Sequence, residues 1–173
     1  MLNIVIFLGL RVLHVLFAAT WIGTTVFLSL LLAPVVDESG PAGGLVMARL
    51  DRRGFHTYMA TVGGMTVLTG AYLLWRFSGG LASSVIATHA GIAFGIGGVS
   101  GILAFVIGGA VVGRSGKQVV DLMGRASSMP DGPAKGSLVQ RATAARGRLK
   151  VGAKVVLLLQ AVALVLMAVG HYV

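Results

Sequence analysis

The sequence predicts an all-α integral membrane protein, a four-helix bundle with both termini outside and a basic loop between helices 3 and 4 in the cytoplasm. Three observations predict it. The chain is 56% hydrophobic with mean hydropathy +0.92 and only 11% charged residues, where a soluble domain carries about 25%. Four apolar stretches, about 4–36, 55–75, 85–112 and 151–172, each reach the roughly 20 residues a helix needs to cross a bilayer. The cations are crowded between the third and fourth of these stretches.

The first stretch, Ile4 to Val36, has no basic region before it and runs past signal-peptide length, so Met1 is expected to begin the mature chain. The second, Phe55 to Trp75, follows a connection carrying Arg49, Arg52 and Arg53. A short turn at Phe77 to Ser84 leads to the third, Val85 to Val112. Between Gly113 and Lys150 lie Arg114, Lys117, Arg125, Lys135, Arg141, Arg146, Arg148 and Lys150, opposed only by Asp121 and Asp131. That asymmetry is the positive-inside signal; an even number of crossings then places the first connection in the cytoplasm too. Ser127 to Gly136, with Pro130, Gly132 and Pro133, reads as the flexible part of the loop. The alternation of basic with small or apolar residues from Leu138 to Lys154 starts the fourth helix inside the cytoplasm, and its membrane part runs from Val151 to Tyr172.

The 173 residues accommodate four crossings and one long connection, hence a single domain, 1–173. No cysteine is present, which removes disulfides, thiolate metal sites and thiol chemistry. The net charge of +9 does not indicate nucleic acid, because its placement is that of a topology signal. The bilayer is the expected partner, and anionic lipid or a docking protein would meet the basic loop. The expected location is the inner cell membrane, as a multi-pass protein.

Glycine occurs 26 times and is not confined to turns. Gly63, Gly64 and Gly70 lie in the second segment, and Gly91, Gly95, Gly97, Gly98, Gly101, Gly108 and Gly109 in the third. Small residues at three- and four-residue spacing let membrane helices approach closely; the same bare faces would suit a flat macrocycle. Gly97 and Gly101 would serve a homo-oligomer as readily as the monomer core.

Each apolar stretch holds one histidine: His14, His56, His89 and His171. An ionisable side chain at bilayer depth reads as functional by default, and imidazole is suited to holding a metal or a haem iron. Steps of three and four from His14 put Arg11, Ala18, Trp21, Thr25 and Leu28 on one face, a stripe expected to face the interior. At 1.5 Å per residue, His14 lies roughly 15 Å and His89 roughly 6–12 Å from the outer end, depths compatible with one bis-histidine haem. His171, within a turn of the outer surface on a face with Met167 and Gln160, would replace either partner if the helices tilt. His56, just beyond Arg52 and Arg53, is a ligand of a second, inner haem or an interfacial histidine. Arg11 lies inside an apolar run with all five carboxylates on the opposite side; a haem propionate would pair with it, unless it snorkels to outer headgroups. Arg76 is a second propionate contact, or an interfacial anchor beside Trp75.

Leu13-His14, followed seven residues later by Trp21-Ile22-Gly23 and an apolar run to Ala33-Pro34, resembles the opening helix of the copper-resistance D-type membrane domain and its relatives. Arg53-Gly54-Phe55-His56 with Thr69-Gly70-Ala71-Tyr72-Leu73-Leu74 resembles the second helix of that group, and Met167-Ala168 its closing helix. The histidine-to-tryptophan spacing is also similar to that of the bacterial haem-containing protoporphyrinogen oxidase, from which this chain departs in lacking a Leu-Pro-Arg continuation and a lysine in the third helix. The resemblance implies a four-helix membrane bundle with haem b or copper as cofactor.

Three functional classes follow. A haem b-binding membrane protein with bis-histidine ligation, carrying one or two haems, would transfer electrons to or from quinone or a partner redox protein. A copper-handling protein is the second class; copper(I) favours sulfur, and the seven methionines show no clustered spacing. An accessory subunit of a larger membrane complex is the third. No span holds a carboxylate, and no serine–histidine–acid set or phosphate-cradling loop can be assembled, which excludes hydrolase and kinase chemistry. No residue is assigned a catalytic role, and any enzyme activity would be that of a membrane oxidoreductase.

Overall fold

The computed structural model describes residues 2–172, with side chains for residues 4–172. Eight α-helices follow one another, with no β-strand among the described residues. Helix α1 (Leu2–Val26) passes through a π-helical turn at Phe27–Leu32 into α2 (Ala33–Glu38) without leaving the helix. Pro34 accounts for the wide turn: it has no N–H to return to the Leu30 carbonyl, and its ring crowds that oxygen. Helix α3 (Gly40–Arg52) doubles back on α2, with Gly43 on the Val36 backbone where no Cβ would fit. Gly54, at φ +81°, makes the left-handed corner into α4 (Phe55–Phe77).

A single turn, α5 (Ser83–Ile86), precedes α6 (His89–Ile107), whose first turn is capped by Thr88 Oγ1 accepting from Gly91 N–H at 3.1 Å. A second π-helical segment, Gly108–Gly113, joins α6 to the amphipathic α7 (Arg114–Ser127), which buries Ser115 and Ala126. After a turn at 128–132, α8 (Pro133–Val169) runs back along the whole molecule. In that turn Lys135 donates to Asp131 at 2.7 Å and holds its carboxyl below the usual carboxylate range.

The segment expected as a basic loop is therefore largely helical. Residues 114–127 extend the third apolar run, and α8 starts at Pro133, far ahead of the expected membrane part from Val151. Helix propensity continues through the basic residues, because Lys, Arg and Ala are all good helix formers and only Pro130, Gly132 and Pro133 interrupt them. The helix of the third apolar stretch begins at His89, four residues later than expected, and α8 ends at Val169 instead of Tyr172.

Three helical runs, Ile4–Glu38, His89–Ser127 and Pro133–Val169, are long and apolar enough to cross a membrane. Helix α4 has 23 residues but is less apolar, chiefly because of its threonines and glycines. Those threonines bond to their own helix: Thr61, Thr66 and Thr69 donate to the carbonyls of Thr57, Val62 and Met65.

Helix α1 packs on α4, α4 on α6, α6 on α8, and α8 back on α1, closing a ring of four. The interior is made of small and polar side chains, with Ala104 at 0% exposure and Thr25, Thr66, Ser100 and Gln160 all buried. Many leucines and valines point outward, Leu68 and Leu158 each 67% exposed. That inverted distribution suits a lipid surround, where close approach of backbones replaces the hydrophobic drive between helices. Trp21 is the largest member of the core, edge-on to Phe105 at 6.2 Å between centroids, and Gly63 leaves room for both rings. Of the segment glycines, Gly63, Gly70, Gly91 and Gly97 meet neighbours in this way, while Gly95, Gly98, Gly101, Gly108 and Gly109 face open space.

The two ends of the bundle differ. One end holds the Lys150–Asp37 ion pair at 2.7 Å, the Arg148–Gln118 hydrogen bond and the close approach of Gly152 to Val111. Of the fourteen cations in the chain, Arg11 and Arg76 alone belong to the other end.

Candidate functional site

At the end away from the basic cluster, one side chain from each of the four long helices meets the next. Phe77, closing α4, stands edge-on to Phe94 of α6 at 5.1 Å between ring centroids. Phe94 stands edge-on to the His171 ring at 5.0 Å. His171 lies two residues past the end of α8, and its Nε2 lies 2.8 Å from the Arg11 Nη2 of α1. Gly170 permits this layer, since a Cβ there would lie 2.7 Å from the Phe94 ring. A guanidinium only donates, so His171 Nε2 accepts, and its neutral ring carries the proton on Nδ1.

One turn deeper on α1, His14 is half-buried and turned onto α4. Its Nδ1 lies 3.0 Å from the Thr66 carbonyl and 3.1 Å from Thr69 Oγ1. The carbonyl only accepts, and the Thr69 hydroxyl already donates to the Met65 carbonyl at 2.6 Å. His14 Nδ1–H is thus the shared donor, and Nε2 keeps a lone pair that no side-chain or backbone donor takes among the described residues. A backbone acceptor on one ring nitrogen, leaving the other as a base, is the arrangement that orients metal-bound imidazoles.

The other candidates are dispersed. His89 is the exposed first residue of α6 and makes no side-chain hydrogen bond among the described residues. His171 is the histidine linked to the His14 stripe, through Arg11. Arg11 donates to that imidazole, which occupies one of its five donors without neutralising the charge. Arg76 is exposed and lines an apolar groove of about 300 Å³ with Ile4, Phe7, Leu8 and Phe77. Trp21 is 6% exposed and serves helix packing.

His56 sits at the opposite end, with Nδ1 2.5 Å from Asp51 Oδ1, and faces Gly113 and Gly116 of the His89–Ser127 run. Asp51 and Thr69 are hydrogen-bond partners of the candidate histidines that sequence reasoning did not pair with them. Asp51 lies five residues before His56, across the Gly54 corner, a separation without meaning until that corner is known. Thr69 lies 55 residues from His14.

Among the described residues, no three histidine or carboxylate side chains gather around one point where they would hold a metal ion. No protein-family model, curated protein or solved structure matches the chain.

Proposed function

We propose that this chain is a four-span haem b-binding membrane protein that transfers electrons to or from quinone or a redox partner. The single observation that carries the reading is the fixed tautomer of His14, whose Nε2 is left as an uncommitted base among the described residues. Further support comes from the residue set at that end. Arg11 and Arg76 are cations without a carboxylate within ion-pair distance among the described residues, and two carboxylates of an amphiphilic ligand would match them. Phe77 and Phe94 supply apolar faces.

In this reading His14 and His171 would hold the haem iron, with His89 the alternative to His171. Arg11 would release His171 Nε2 by turning its guanidinium to a carboxylate, an exchange of one acceptor for a stronger, charged one. Thr66 and Thr69 hold the His14 ring and fix its tautomer. Haem b, when bound, supplies one-electron chemistry at iron. His56, held by Asp51 at the far end, belongs to no shared site with these groups.

The same reading makes α4 the second of four crossings, its polar side chains already bonded within the helix and its length sufficient. Twelve of the fourteen cations at one end (all but Arg11 and Arg76) orient that end to the cytoplasm, with both termini outside and the inner cell membrane as the location.

The test is a dithionite-reduced minus oxidised spectrum of protein purified in detergent after haem-sufficient expression, with a pyridine haemochrome assay. Sharp bands of a six-coordinate b haem that vanish in His14→Ala are expected. A colourless wild-type protein would overturn the reading and turn attention to copper, measured by metal analysis. Full haem retention in His14→Ala would remove the site proposed here.

A further inference from the structure

Near the basic end, an open groove of about 570 Å³ runs between the His89–Ser127 run and α8. Its walls are Ile107 and Val111 on one side and Val151 and Val155 on the other, and they are almost wholly apolar. Two glycines shape it. Gly152 brings α8 so close to Val111 that a Cβ would lie 3.0 Å from its Cγ1, while Gly147 has open space where its side chain would be. Arg148 stands at the groove's polar end, where its Nη2 donates to Gln118 Oε1 at 3.1 Å.

Gln118 occupies one of the five guanidinium donors and steers the head without neutralising it. Arg148 forms no ion pair among the described residues, and the carboxylate bound at this level, Asp37, is taken by Lys150. An apolar trough lying at the level where the helices leave their apolar stretch, ending in a fixed and unneutralised guanidinium, is complementary to an amphiphile with an anionic head. Basic pockets between membrane helices take anionic headgroups on this principle.

We propose that this groove is a binding site for one anionic phospholipid, its acyl chain along Val111 and Val155 and its phosphate on Arg148. The lipid seals the gap between the His89–Ser127 run and α8 and ties the α7–α8 hairpin to the membrane surface. This inference does not depend on the haem reading.

Native mass spectrometry of the full chain, released from detergent with phosphatidylglycerol, phosphatidylcholine of the same chains, or inorganic phosphate, tests it. Wild type should retain phosphatidylglycerol about fivefold better than phosphatidylcholine, the effect of about one basic contact, and phosphate should not compete. Arg148→Gln should abolish that preference, and Gly147→Leu, which fills the trough, should weaken retention of both lipids. Equal retention of the two lipids by wild type would overturn the proposal, as would retention unaffected by either substitution. Competition by phosphate alone would reduce the site to an anion contact and also overturn it. A dimer that Gly147→Leu dissociates would assign the groove to a second copy of the chain and overturn it equally. Thermal unfolding of each variant in the same detergent shows whether it remains folded.

Discussion

Gly70 provides the space that the His14 imidazole occupies: a Cβ at position 70 would lie 2.8 Å from His14 Cε1. The ring is therefore held from two directions, by the Thr66 carbonyl and Thr69 hydroxyl at its Nδ1 and by the bare α4 backbone at its edge. Gly70→Ala should displace the ring and cost about 1–3 kcal/mol, the range for an overfilled interior. Chemical unfolding in detergent reads the cost, and haem retention reads the ring. An alanine variant with unchanged stability and unchanged cofactor would show that the His14 orientation does not depend on this contact.

Thr69→Val should separate the two acceptors of His14. The substitution keeps the volume, removes one of two acceptors, and leaves the Thr66 carbonyl in place. We expect a stability loss of about 1 kcal/mol or less, since interhelical hydrogen bonds in membranes average about 0.6 kcal/mol. Under the proposed function, a reduction potential that moves while haem content stays constant is the expected signature of a loosened His14 ring. An unmoved potential would assign Thr69 to packing alone.

Arg11→Leu should leave stability within about 1 kcal/mol of wild type, because both Arg11 and His171 are exposed. Its effect should fall on cofactor retention or midpoint potential, since a carboxylate partner would lose its cation. Unchanged spectrum and midpoint in this variant would exclude Arg11 from the site.

Asp51 and His56 close the corner between α3 and α4 at the other end. Asp51→Ala should destabilise by about 1–3 kcal/mol by leaving a partly buried imidazole donor unpaired, whereas Asp51→Asn keeps an acceptor and should cost less. His56→Ala should spare the haem altogether. Loss of all haem in His56→Ala would contradict the separation of the two ends.

Gln160 is 2% exposed and lies in the middle of the bundle, where its Nε2 donates to Thr25 Oγ1 at 3.3 Å and its Oε1 finds no partner among the described residues. Gln160→Leu removes a long hydrogen bond together with an unsatisfied acceptor. Its stability should stay within about 1 kcal/mol of wild type or rise. A loss well above that in chemical unfolding would show that Oε1 is bonded in the membrane, by water or a ligand.

The sequence by itself determined the all-helical class and the crowding of cations towards one end of the chain's long helices. Apolar length sets the helical runs, because every backbone N–H and C=O in lipid must be bonded within its own segment, and the cations mark one end. The stripe from Arg11 through His14 to Trp21 and Thr25 was likewise legible, because helical periodicity places those residues on one face. Only the tertiary structure decided what each of them meets. Arg11 meets an imidazole, His14 a carbonyl 52 residues away, and Trp21 the ring of Phe105. Such partners depend on the rotation and depth of each helix against its neighbours, set by which glycines and alanines let the backbones close. Many arrangements of small residues satisfy the same hydropathy, so composition and period leave that choice open and packing makes it.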